Sequence, residues 1–185
     1  MGDPRKLRNK YSKPKKLLDK VRLAEESALK RTYGLKNMRE IWIAVSELKK
    51  ARREARRLLS LTEAQRKKEE GVVLTKLRRL GIIEDKASVE DILSLTVKDV
   101  LERRLQTRVL RKGLAKTMAQ SRQLITHGFI SVKDRIVNIP SYMVSAAEEG
   151  TLRHSKHIEL EFKFEPKPEA KEATAEAKPE EKPKE

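Results

Sequence analysis

"TMAQSRQLITHGFISV", residues 117–132, reads as a short helix that stops at a glycine and turns into a strand. Thr117 and Gln120 have capping-box spacing, and Gly128 suits a left-handed stop. Leu124 and Ile125 give this helix an inward side, so Arg122 and Gln123 must look elsewhere. His127 sits at the C-terminal end, where a cation meets the negative pole of the helix. Beyond Gly128, "FISVKDRIVNIP" alternates as two short strands around Lys133-Asp134, closed by Pro140. Asp134 tolerates positive φ and Lys133 suits it less, since two-residue turns favour Asn-Gly or Asp-Gly. "HIELEF", residues 157–162, alternates as a third strand.

Immediately upstream, residues 97–112 predict one helix that ends at Gly113. Thr96 is the N-cap with Asp99 three residues on, and Leu95 and Val100 have staple spacing. Val97, Leu101, Leu105 and Val109 should face inward, with Arg104, Arg108 and Arg111 on the neighbouring stripe. Residues 101–127 hold Arg103, Arg104, Arg108, Arg111, Lys112, Lys116 and Arg122 against Glu102 alone, a net +6. Arginine forks suit bidentate phosphate contact. The helix opening at Thr117 adds free N–H groups at a positive dipole end. If roughly six phosphates were neutralised, log K would fall by about 4–5 per decade of salt.

Further upstream, helix signals dominate. "VRLAEESALKRTYGL" suggests a helix ended by Gly34. Asn37 and Glu40 suggest a capping box opening residues 38–60, where Met38, Ile41, Val45 and Leu48 keep helical spacing. Within it, "KKARREARR" sets six cations, Arg52, Arg53, Arg56 and Arg57 among them, against Glu54. That is either a solvated face or a phosphate-contacting one. Thr62 and Gln65 suggest another capping box, for a helix running to Gly81 with Leu74, Leu77 and Leu80 as its core stripe. Ser88 suits a cap for "VEDILSL". Trp42, inside a helix, reads as core more than as a base-stacking ring.

The two ends differ. Residues 1–20 carry eight basic and two acidic residues, including Arg5, Lys6, Arg8 and Lys10, and too little apolar surface to order themselves. They read as an arm that orders on phosphate. Residues 163–185 are a Lys/Glu/Pro/Ala segment of net −1 and read as disordered. Residues 1–162 therefore carry +17 of a chain total of +16.

That surplus calls for an anionic partner, nucleic acid first and an anionic membrane second. Seven aromatic residues in 185 are too few for a base-stacking platform. No apolar run approaches ~18 residues, and the start "MGDPRKLRNK" lacks a secretory apolar stretch, so a soluble cytoplasmic chain is expected. Zero cysteines exclude disulfides and thiolate metal sites. His154 and His157 lack an evident third ligand, and no phosphate loop or Gly-x-Ser-x-Gly elbow is present, so no cofactor, metal or catalytic residue is expected.

The stretch from Leu101 to Tyr142 resembles the RNA-binding module named after ribosomal small-subunit protein S-four. The resemblance rests on Arg104-Leu105, Gly113-Leu114-Ala115, Thr117, Ser121-Arg122-Gln123-Leu124-Ile125, His127-Gly128 and Pro140-Ser141-Tyr142. The family often has Asn-Gly at the turn, where this chain has Lys133-Asp134. "YGLKNMREIWIAVSELKKARREARRLL", "LTKLRRLGII", "DILSLTVKDVLERRLQT" and "MGDP" are similar to the archaeal form of the S-four family, over about residues 1–162. The resemblance implies a primary rRNA-binding protein of the small subunit. It further implies contact with the 5′ domain of 16S-type rRNA, nucleation of the 30S body and a part in decoding accuracy. Proteins S-five and S-twelve would be its neighbours, near the mRNA entry channel. Some members carry an N-terminal cysteine zinc site, which this chain lacks.

The expectation is thus an α+β protein. A basic arm (1–20) precedes a helical domain (21–95), an RNA-binding module of two helices and a short antiparallel sheet (96–162), and a disordered tail (163–185). The expected RNA-contacting set is the module cations above together with Thr117, Gln123, His127, Lys133 and Arg135, the four arginines 52, 53, 56 and 57, and the arm cations. Two rivals remain: an RNA-modification or quality-control factor with the same module, and a membrane-surface scaffold. The first needs a catalytic domain, for which about 160 residues leave no room. The second needs a strong apolar moment opposite its cations.

Overall fold

The computed structural model describes residues 9–84 and 86–155. The expected "HIELEF" strand, the acidic-basic tail, and the arm cations Arg5, Lys6 and Arg8 lie outside the described residues. Helices α1 (Lys20–Thr32) and α2 (Met38–Leu59) form an antiparallel hairpin, followed by α3 (Glu63–Arg79) and the short α4 (Val89–Ser94) and α5 (Val97–Glu102). Then come α6 (Leu105–Arg111), α7 (Met118–Thr126), β1 (Ile130–Val132), β2 (Arg135–Ile136), α8 (Ala146–Glu149) and β3 (Arg153–His154). The sheet is antiparallel in the order β2-β1-β3, with Val132 opposite Arg135 and Ile130 opposite His154.

Three apolar clusters hold these elements. One joins Leu105, Val109, Ala115, Leu124 and Ile125 to Ile130, Val132, Val144 and Leu152 of the sheet and its loops. The second joins Tyr33, Leu35, Ile41, Ala44 and Leu48 to Val100 and Leu101. The third sets Ala55 and Leu58 against Leu74, Leu77, Val89 and Ile92. The inward stripe expected over 97–109 is buried at Leu101, Leu105 and Val109, while Val97 is half-buried.

Where sequence and structure differ, the cause is mostly non-local. The expected helix over 97–112 is two helices, broken at Arg103-Arg104. Arg104 is extended (φ −70°, ψ 143°) and bridges antiparallel to Met143. The Leu105 and Gln106 N–H groups donate to the Tyr142 and Pro140 carbonyls at 2.7 and 3.3 Å, and the Val144 N–H donates to Arg103 O at 3.0 Å. Residues 140–144 thus satisfy donors at the start of α6 that a continuous helix would have used internally. Neither the Asn37/Glu40 nor the Thr62/Gln65 capping box forms. The Glu40 carboxylate accepts instead from the Lys36 N–H and from two arginines described below.

Local patterns hold elsewhere. Asp91 accepts from the Ser88 N–H and Asp99 from the Thr96 N–H, each at 2.7 Å. Thr117 accepts from the Gln120 N–H, while the Gln120 side chain accepts from Lys116 rather than from Thr117. The Lys133-Asp134 turn forms with two loop residues, both at positive φ (47° and 66°). That conformation matches the strand twist and is strained for Lys133. A third strand begins upstream of the expected one, at Arg153.

The arm's described residues contact the protein itself. The Tyr11 ring packs on Trp42, centroids 5.9 Å apart, and the Ser12 N–H donates to Ser46 Oγ at 3.2 Å. The Arg22 guanidinium donates to the Lys16 and Leu17 carbonyls at 2.8 and 2.9 Å. Trp42 is half-buried, its indole N–H donating to the buried Glu26.

Candidate nucleic-acid interface

The structure sorts the expected cations into two groups. The first is occupied by the protein. Arg104 is buried, and its guanidinium reaches Glu40 at 2.5 Å; Arg122 on α7 reaches the other oxygen of the same carboxylate at 3.0 Å. Gln106 completes this hub. Its side-chain N–H groups donate to Gly34 O at 3.1 Å and Met118 O at 3.0 Å, and its oxygen accepts from Arg122 at 3.3 Å. Burial alone would raise the Glu40 pKa, but hydrogen bonds and charge from Arg122 and Arg104 hold it below the ordinary carboxylate value.

Two more acids gather the remaining module arginines. Glu149 pairs with the buried Arg103 and with Arg108, each at 3.0 Å. Arg103 also donates to Val144 O at 3.1 Å and packs against Gly81. Burial and the neighbouring Arg103 lower the pKa of Arg108. Glu102 accepts from Arg111 at 2.9 Å and from the Tyr33 hydroxyl at 3.1 Å. Burial, then the Glu102 hydrogen bond, pushes the Tyr33 phenol up to about 12. The sequence places Glu102 alone beside these cations. The fold brings Glu40 and Glu149 to them from 64 positions before Arg104 and 46 positions after Arg103.

Lys112 is also engaged. Its ammonium donates to the carbonyls of Glu149, Gly150 and Leu152 at 3.0, 2.9 and 2.8 Å, fastening the turn that leads into β3. Arg52 donates to Leu95 O, Arg57 pairs with Glu69, and Lys133 pairs with Glu148 at 3.3 Å. Burial opposes it, yet bonds from Ser145, Lys133 and Tyr142 hold the Glu148 carboxyl at about 2.

The second group is open to an incoming anion. Lys10, Arg53, Arg56 and Arg135 are exposed and carry no ion pair among the described residues. Lys49 and Lys50, outside the expected set, behave in the same way. Thr117, Gln123 and His127 are exposed around the two ends of α7, and the His127 ring lies 6.3 Å from Phe129; Lys116, also exposed, keeps an interaction within the protein. Sequence reasoning missed Gln106 and the anchoring role of Tyr11 and Ser12. A glutamine between inward-facing Leu105 and Val109 was the available signal for the first.

Exposed cations of this kind can attract a polyanion by charge and hydrogen bonding. Among the described residues, no three His, Cys, Asp or Glu side chains gather to hold a metal ion, and no helix is long and apolar enough to cross a membrane.

Comparison with known proteins bears on what the surface serves. Residues 103–149 match the S4 domain family. The chain is 51% identical over 155 residues to small ribosomal subunit protein uS4 of Ignicoccus hospitalis, covering 84% of this chain and 93% of the relative. It is 46% identical over 167 residues to small ribosomal subunit protein uS4 of Saccharolobus solfataricus, covering 90% and 91%.

Proposed function

The chain belongs to the uS4 family of small ribosomal subunit proteins, and on that premise we propose that it binds 16S-type rRNA directly and helps the 30S body to assemble. The family is structural rather than enzymatic, and the S4 domain is its RNA-binding part. The finer reading extends to nucleation of assembly and to decoding accuracy. It also covers proteins S-five and S-twelve as neighbours, a position by the mRNA entry channel, and the cytoplasm as the compartment.

One observation carries the direct contact with RNA: a surface of cations that the protein leaves without an ion pair among the described residues, Arg53, Arg56 and Arg135 among them, on a body in which Arg103, Arg104, Arg108 and Arg122 are paired with acids of the protein itself. Internal pairing gives a rigid framework, and open cations on a rigid framework suit a folded RNA whose phosphates are fixed in space. Competition binding tests the reading. The protein should prefer a 5′-domain fragment of small-subunit rRNA over heparin at fixed salt, and should sediment with small subunits. Equal affinity for the two polyanions would overturn the reading.

A further inference from the structure

A cavity of about 320 Å³ opens between α2, α3 and the chain around Leu95 and Met143. Leu48, Val73, Leu77, Leu80, Leu95 and Met143 are among the residues that line it. Val73, Leu80, Leu95 and Met143 are only half-buried, so the described residues leave this apolar wall partly uncovered. Water in such a space finds few partners, and covering it with an apolar group is favourable.

Glu47 and Glu54 of α2 stand at the mouth, together with Lys50 and Lys76. The two acids are seven residues apart, about 10 Å along the helix axis. Neither forms an ion pair among the described residues. Burial pushes the Glu47 carboxyl above its ordinary value, while the charges of Lys50, Arg104, Lys10 and Lys76 oppose that rise. The cavity is therefore an apolar slot beside two acids that a closer cation would satisfy.

The start of the described chain reaches this mouth. The Ser12 N–H donates to Ser46 Oγ at 3.2 Å, one residue before Glu47, and Tyr11 is fixed against Trp42. Lys10 lies near enough to favour the ionised form of Glu47. In the sequence, "MGDPRKLR" precedes this point as residues 1–8. Leu7 is three residues from Lys10, at most about 10 Å of extended chain. It sits between Lys6 and Arg8, with Arg5 beyond. An apolar side chain flanked by cations matches an apolar slot flanked by acids. The anchors at Tyr11 and Ser12 also give Leu7 a high effective concentration at the cavity, which a second copy or a free ligand lacks.

We propose that residues 5–8 dock on this cavity in the free chain, with Leu7 filling the slot and the neighbouring cations meeting Glu47 and Glu54. The inference is independent of the RNA-binding reading: it states what covers the cavity when the chain is alone.

The chain has no cysteine, so an introduced pair reports docking without background. In the full chain, Leu7→Cys is combined in turn with Val73→Cys and with Leu80→Cys. Leu7→Cys with Val72→Cys is the control, because Val72 neighbours Val73 on α3 but is 71% exposed. Under mild oxidation at least one cavity pair should close an intramolecular disulfide about tenfold faster than the control. Glu47→Gln with Glu54→Gln should slow that closure. Leu7→Asp leaves the cavity wall intact, so it tests the same contact without risk to the core. It should lower the melting temperature by about 3 °C, and Leu7→Met should not. Closure no faster than in the control would overturn the proposal, as would a melting temperature indifferent to Leu7→Asp. Disulfides forming mainly between chains, at a rate that rises with protein concentration, would assign the cavity to a second copy and overturn it too. The preference of the wild-type chain for rRNA over heparin is read separately, so failure here is distinguishable from failure of the function reading.

Discussion

The Arg104 guanidinium meets the Glu40 carboxylate at 2.5 Å, with only 6% and 16% of their side-chain surfaces exposed. Arg122 closes on the same carboxylate from α7, so one acid of the helical half ties down two helices of the RNA-binding module. Removing one partner from a buried pair leaves a charge without compensation, and this costs more than the pair itself contributes. Glu40→Gln should therefore destabilise the protein by about 3 kcal/mol in urea unfolding. Arg104→Gln in the same background should cost little more. Additive losses would show that the pair is not coupled.

Acid should weaken the fold through the same kind of group. Glu40 and Glu102 have folded pKa values below the ordinary 4.5, and Glu148 is at about 2. A carboxylate whose pKa is lowered on folding stabilises above its unfolded value, and that stabilisation disappears as pH falls through the folded one. Melting temperature should accordingly drop between about pH 4.5 and pH 2. The gap between wild type and Glu148→Gln should close over the same window. A gap independent of pH would contradict the origin assigned to it.

Gly34 turns the chain from α1 toward α2 at φ +57°, and a Cβ there would lie 2.6 Å from Met118 Cβ. Both the left-handed backbone and the contact exclude a side chain. Gly34→Ala should cost about 1–3 kcal/mol from backbone strain alone, with a further loss from displacing Met118. Gly71, inside α3 with open space around it, is the control. Gly71→Ala should stabilise the protein by about 0.5–1 kcal/mol. Urea titration of both variants checks the contrast.

Open and engaged cations should separate in a single experiment. Arg53→Gln and Arg56→Gln should each reduce the salt slope of rRNA binding by about 0.7–0.9 and leave the melting temperature unchanged. Lys112→Met should do the reverse, because its ammonium holds three carbonyls instead of a phosphate. A melting temperature insensitive to Lys112→Met would return that residue to the RNA-contacting set.

The parts of the fold legible in the sequence are those decided within a few residues. Ser88, and Thr96 with Asp99, announce where α4 and α5 start, because a cap is made by neighbours in the chain. The alternating run around Lys133-Asp134 announces the hairpin in the same way. The break at Arg103-Arg104 was not legible, because residues 140–144 cause it. Glu40 fits the local pattern of a capping residue three positions after Asn37, yet two distant arginines hold it. The density of module arginines was visible as charge. Their division into engaged and open depends on acids that only the fold brings near.

The Glu40 hub also orders events during synthesis. Glu40 leaves the ribosome 64 residues before Arg104 and 82 before Arg122. The hairpin of α1 and α2 can therefore pack on itself early, but its central acid waits for partners translated much later. Domains emerging first tend to fold first; here the amino-terminal half is finished by its carboxy-terminal neighbour. A nascent chain stalled before residue 104 would present an incomplete half, held open for the helix that completes it.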